Sequence, residues 1–184
     1  MATVSKNAVL VLIDIQKGFD EPHWGKRNNP DAEKIMIGVL QKFRLNSRKI
    51  IHVRHDSLEQ SSPLKSGKPG FEFKDGFLPL ERENVITKHV NSAFIGTDLE
   101  KLLISLGKPE VYIIGLTTEH CISTTARMSG NLGFKTSVIR DACAAHEKTM
   151  DGKQIPADTV HIVNLASMKE EFAQIPWSHE LEFH

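Results

Sequence analysis

The chain has 184 residues, 40% of them hydrophobic and 25% charged, with 23 basic residues balancing 23 acidic ones. This is an ordinary soluble globular composition, long enough to bury one core without staples, and it points to a single domain over residues 1–184. Zero formal charge removes the electrostatic case for nucleic acid or an anionic membrane surface.

Two cysteines, Cys121 and Cys143, make no disulfide framework, so a reducing cytoplasm is the expected setting. Met1 to Asn7 lacks a signal-peptide pattern, and no apolar run approaches a membrane span. Internal repeats and linker-like composition are absent from the sequence.

Ala8 to Ile13 is a continuous apolar run, the pattern of a strand buried on both faces. It ends at Asp14, a carboxylate that at the end of a buried strand is costly unless bonded, paired or functional. A turn-capping role is the plain alternative. Phe19 and Trp24 follow in a polar loop, where they either wall a pocket or roof the core. Asn29-Pro30-Asp31 starts a helix, and Ala32, Ile35, Met36, Val39, Leu40 and Phe43 form its core-facing stripe.

Lys49 to His55 reads as the next strand. His52 and Arg54 share one of its faces and His55 takes the other. A cation between the histidines and a spacing that fits no zinc pattern count against a metal. Arg54 suits a clamp for a substrate carboxylate, with a structural ion pair as the alternative. Ser57 to Pro79 reads as a long loop of the kind that serves as a lid, a binding loop or a subunit contact.

Asn84 to Lys88 is a short strand ending in a lysine. Thr97-Asp98-Leu99-Glu100 has the form of a capping box, and Leu99, Leu102, Leu103 and Leu106 give its helix an apolar face that Gly107 and Pro109 end. Val111 to Ile114 is a second apolar strand. After it Gly115-Leu116-Thr117-Thr118-Glu119-His120 leads to Cys121, which opens a helix closing at Gly130 or Gly133. A helix N-terminus favours a thiolate and lowers a thiol pKa. Packing is the competing account of a lone cysteine.

Lys135 to Ile139 is a further strand, Pro156 to about Met168 a helix, and Glu171 to Ile175 a short edge strand. Trp177 and Phe183 suggest a tail that is tied down. Strands alternating with helices imply a doubly wound, mostly parallel α/β sheet in a three-layer sandwich. Its strand ends converge on one edge. Asp14, Lys88 and Cys121 each end a strand, and together they form a nucleophilic set: a proton acceptor, an ammonium and a thiol.

These motifs resemble the isochorismatase-like cysteine hydrolases, a family that includes nicotinamidases, N-carbamoylsarcosine amidohydrolases, ureidoacrylate-type amidohydrolases and isochorismatases. The resemblance runs from Val9-Leu10-Val11-Leu12-Ile13-Asp14-Ile15-Gln16 through Ile86-Thr87-Lys88 and Ser92-Ala93-Phe94 to Gly115 to Cys121. Thr124 to Arg127 and Asp141-Ala142 continue it.

The resemblance implies a Rossmann-like topology, with Asp14 as general base, Lys88 as its electrostatic partner and Cys121 as nucleophile. It also implies a cis peptide at Leu116–Thr117 and an oxyanion hole formed by the N–H groups of Thr117 and Cys121. The expected reaction is hydrolysis of a small amide or ureido C–N bond through a Cys121 thioester.

Phe19, Trp24, Arg54, Phe94 and His120 are the expected substrate contacts. No cofactor is expected, and the likeness implies a homo-oligomer, a dimer or a tetramer. Nicotinamidases of the family carry a metal-binding Asp/His set after the second strand. His52, His55 and Asp56 do not reproduce its spacing, so neither a metal nor nicotinamide is expected. The alternatives are vinyl-ether hydrolysis with Asp14 as general acid and Cys121 as bystander, or an idle ligand-binding homologue.

Overall fold

A computed structural model describes residues 2–184; Met1 lies outside the described residues. Five parallel strands form the central sheet: β2 (Val9–Ile13), β3 (Lys49–His55), β4 (Asn84–Lys88), β5 (Val111–Leu116) and β6 (Thr136–Ala144). Their spatial order is β4-β3-β2-β5-β6. The apolar runs of β2 and β5 occupy central positions because both their faces are covered. Leu10, Leu12, Tyr112 and Ile114 point into one core with Met36, Val39, Leu40 and Phe43 of α1 (Ala32–Leu45). Val9, Val11, Ile13, Val111 and Ile113 point into the other.

The second core is closed by α2 (Leu99–Ser105), α3 (Ser123–Asn131) and α4 (Ala157–Met168), through Leu99, Leu103, Ala126, Leu165 and Met168. The architecture is therefore the three-layer α/β sandwich expected, with a parallel sheet between helices. Among the described residues, no helix is long and apolar enough to cross a membrane.

Several local expectations change. The capping box at Thr97 is incomplete: its hydroxyl accepts the Leu99 N–H at 3.3 Å and donates to Ala93 O, and no side chain caps the helix at Asp98. The edge strand at residues 171–175 shrinks to two isolated parallel bridges, Gln174 with Ser137 and Ala173 with Lys169. Three short features were not anticipated. β1 (Ala2–Val4) pairs in parallel with β9 (Leu181–Phe183), and β7 (Lys148–Met150) forms a hairpin with β8 (Lys153–Ile155). β6 also runs on past Ile139 to Ala144.

The tail is held by the chain itself. Phe183 meets Phe43 edge-on at 5.1 Å, and the Arg140 guanidinium lies 4.2 Å from the Trp177 ring.

Strand β3 shows where its polar residues go. His52 is fully buried and donates its Nε2–H to Glu83 Oε2 at 2.8 Å. Glu83 also takes both arms of the Arg44 guanidinium at 2.8 Å each and the Leu80 N–H. Burial pushes the Glu83 carboxyl up, but these donors outweigh it and hold it at about 2. The native state thus prefers the ionised carboxylate more than the unfolded chain does. That preference is complete above the ordinary value of 4.5 and is lost as pH falls towards 2. Glu83→Gln should lower stability by on the order of 2 kcal/mol at pH 7 and remove part of the acid limb of a stability–pH curve.

Gly115 is the closest approach in the sheet. Its φ is +131°, and a Cβ there would stand 2.0 Å from Ile13 O on the neighbouring strand. Gly115→Ala should cost about 3 kcal/mol or more, seen as a shifted urea midpoint or a failure to fold, since neither backbone can yield within a paired sheet.

Candidate active site

Asp14 leaves β2 with φ +52°, its N–H still bonded to Val53 O at 2.8 Å. This left-handed residue turns the chain at the carboxyl edge of the sheet, beneath β3 and β5. Gln16, two residues on, ties that turn to the rest. Its amide donates to His55 O and Phe71 O, and its Oε1 accepts the His55 N–H.

Lys88 ends β4 and is fully buried. Its ammonium has three donors and three neighbours: Asp14 Oδ2 at 2.6 Å, Cys121 Sγ at 3.2 Å and His55 Nδ1 at 3.2 Å. An ammonium has no lone pair, so His55 Nδ1 must accept, which leaves the ring proton on Nε2. Asp14 is also fully buried; its oxygens have no aligned hydrogen-bond donor and rely on the Lys88 charge. Burial pushes the Lys88 pKa down, but the Asp14 carboxylate, with the Cys121 sulfur beside it, more than offsets that, so it ends above its ordinary value.

Cys121 lies in a widened helical turn, Thr118–Ile122, that precedes α3. Within it the Ile122 N–H reaches back five residues to Thr117 O at 3.2 Å. Such insertions are frequent at functional sites, because they re-aim side chains within a helix. The Leu116–Thr117 peptide is cis.

The thiol pKa runs opposite to the helix-terminus expectation. Burial raises it and the Asp14 charge raises it further, and Lys88 only partly offsets them, so it sits well above its ordinary value. The resting site is therefore an ion pair beside a protonated thiol.

Above this trio lies a cavity of about 290 Å³, near the small end for ligand pockets. Phe19 and Trp24 form one wall, their rings stacked 5.2 Å apart, with the indole N–H held by Gly18 O. His120 and Thr117 also line it.

Two expected contacts lie elsewhere. Arg54 faces away from the cavity, with its guanidinium 4.4 Å from the Phe71 ring and its Nε donating to Thr87 Oγ1, so the carboxylate-clamp reading is withdrawn. Phe94 is buried in the second core against Phe134, 6.0 Å away.

The cavity gains residues that were not among the expected substrate contacts: Leu64 from the long loop, His55, Asn91, Glu119, His146 and Lys148. Glu119 Oε1 takes the Lys148 ammonium at 2.9 Å and the His146 N–H at 3.2 Å. Burial pushes His55, His120 and His146 all below the ordinary imidazole value, keeping the rings neutral near pH 7. Asp56, beside the histidines in sequence, is spent on Ser66 and Lys65. His52, His55 and Asp56 therefore face three different sets of partners and do not converge. Among the described residues, no three His, Cys, Asp or Glu side chains are grouped to hold a metal ion.

The family model described as "Isochorismatase domain" matches residues 8–169. The chain belongs to the isochorismatase family. It is 41% identical to the isochorismatase family protein YrdC of Bacillus subtilis, over 94% of this chain and 92% of that one. The crystal structure of an isochorismatase-family protein from Chromobacterium violaceum superposes with a TM-score of 0.92 at 41% identity, covering 95% and 91% of the two chains. A relative with a named hydrolytic activity is Nicotinamidase 3 of Arabidopsis thaliana, 28% identical over 79% of this chain and 80% of that one.

The thiol assignment has a direct check. Asp14→Asn removes a charge that opposes thiolate formation and leaves Lys88 in place. Alkylation of Cys121 by iodoacetamide near neutral pH should therefore accelerate. A slower reaction in the variant would remove Asp14 as the charge holding that proton in place.

Proposed function

We propose that the protein is a cysteine hydrolase that cleaves a small amide or ureido C–N bond through a thioester on Cys121. The observation that carries this reading is the buried contact of one ammonium with a carboxylate at 2.6 Å and a thiol at 3.2 Å, at the floor of a small cavity. A packing cysteine would have no reason to share a buried cation with a carboxylate, given the cost of burying both charges.

In the first half-reaction the substrate carbonyl enters against Sγ. Asp14 takes the thiol proton as sulfur attacks, so no free thiolate need build up despite the raised pKa. The Lys88 ammonium stays protonated and offsets the charge as it moves from carboxylate to sulfur. The tetrahedral oxyanion is received by the N–H groups of Thr117 and Cys121; such a donor is typically worth about 3 kcal/mol. Protonated Asp14 then gives its proton to the departing nitrogen, and the C–N bond breaks.

In the second half-reaction Asp14 draws a proton from water, which attacks the thioester, and the thiol is restored on release of the acid. The net change is one amide plus one water giving one carboxylic acid and one amine or ammonia. Vinyl-ether hydrolysis with Asp14 as general acid would leave the Lys88–Cys121 contact without a task. The hydrolase named among the relatives supports an amide bond as the target class.

Cys121→Ala should abolish turnover with an unchanged circular dichroism spectrum. Asp14→Asn should lower kcat by roughly 10³-fold, within the range of a lost general base. The substrate can be found by incubating the protein with a metabolite pool, quenching in acid and measuring intact mass: an adduct on Cys121 names the acyl group. Wild-type turnover by Cys121→Ala on the substrate so identified would overturn the mechanism.

A further inference from the structure

The turn that carries Thr117 and Cys121 is braced by a residue distant in sequence. Thr118 is fully buried, and its hydroxyl lies 2.8 Å from Nδ1 of His161, on α4. The other ring nitrogen, Nε2, lies 3.1 Å from Arg140 O. A carbonyl oxygen only accepts, so Nε2 carries the proton and Nδ1 has the lone pair. The Thr118 O–H must then donate to His161.

Asn29 is too distant to set the tautomer. Its side-chain amide approaches Nε2 only at 3.5 Å and is committed to Cys143 O at 2.7 Å. His161 is itself nearly buried, and burial keeps its ring neutral. The result is a one-way relay of hydrogen bonds from Thr118 through the ring to the β6 backbone. It fixes the rotamer of the residue that sits between the two amides assigned to the oxyanion. Neither Thr118 nor His161 lines the cavity.

We propose that His161 is a positioning residue which, through Thr118, holds the turn bearing Thr117 and Cys121 in register for acyl transfer. The inference rests on the thioester reading above. Its role differs from that of Asp14 and Lys88. They govern the thiol proton, whereas His161 and Thr118 govern where the backbone donors stand when the carbonyl oxygen becomes negative. Misplacement of such donors by a fraction of an ångström weakens the transition state without changing the nucleophile.

Two reagents separate these effects. Acylation by p-nitrophenyl acetate passes through a tetrahedral oxyanion, forms the Cys121 thioester and releases p-nitrophenolate. Alkylation by iodoacetamide displaces iodide at carbon and needs no oxyanion donor. Thr118→Val keeps the shape and removes the hydroxyl, and His161→Phe keeps a ring and removes both nitrogens.

Each should slow the p-nitrophenolate burst by roughly ten- to a hundredfold while iodoacetamide alkylation stays within about twofold of wild type. The double variant should be no slower than either single one, because both break the same relay. Thr118→Ser, which keeps the donor, should recover most of the burst rate, and it serves as the reference if His161→Phe does not fold.

A Thr118→Val protein with a wild-type burst rate would overturn this inference alone. So would a parallel fall in alkylation, which would place the effect on the thiol. No burst in the wild-type protein would overturn the thioester reading and this inference with it.

Discussion

The site depends on one buried ion pair. Asp14 and Lys88 are both fully buried, at the ends of strands separated by β3. Neither could stay charged alone in such a place, since an isolated buried ion loses far more hydration than the protein returns. Each therefore fixes the other, and the lysine must reach past β3 to do so. It makes that reach with its ammonium hydrogen-bonded to Cys121 and His55 and ion-paired with Asp14. The left-handed turn at Asp14 and the clamp of Gln16 on His55 and Phe71 hold the two chain segments at the separation the pair requires.

That arrangement sets the proton inventory. With the pair ionised and the thiol protonated, one proton is available to move, from sulfur to Asp14 and back. A thiolate–lysine pair, by contrast, would need a lowered thiol pKa, whereas burial and then the adjacent carboxylate raise it. The proposed thioester mechanism therefore moves the proton as sulfur attacks and needs no standing thiolate.

Much of this was legible in the sequence because strand ends are legible. The unbroken apolar runs before Asp14 and Gly115 mark central parallel strands, and parallel order brings their carboxyl ends to one edge. Asp14, Lys88 and Cys121 follow from that topology. The rest of the cavity depends on where loops and hairpins fold back. Glu119, His146 and Lys148 come together through a salt bridge whose Lys148 opens β7, and no periodicity announces a three-residue strand.

Arg54 shows the limit from the other side. Its strand parity put it on the face shared with His52, away from His55. Placing it at the site meant ignoring that alternation in favour of what a guanidinium can do. The thiol pKa was misjudged for a related reason: a helix terminus contributes a fraction of a charge, whereas burial and a full carboxylate beside the sulfur are visible only once the chain is folded.

The three histidines around the cavity sharpen the choice of base. All are neutral near pH 7, so each is a conceivable proton acceptor for the thiol. His55 is excluded by its own hydrogen bond: Nδ1 is occupied by the Lys88 ammonium, and the free nitrogen already carries a proton. His120 and His146 stand with Glu119 and Lys148, and burial, which outweighs the Glu119 charge, disfavours a positive charge on either ring. Asp14 alone shares with the thiol a cation that gains from the transfer, because the charge leaving the carboxylate reappears on sulfur within reach of the same ammonium. In the proposed mechanism the base is therefore set by where the compensating charge lies, and not by which side chain has the pKa nearest neutrality.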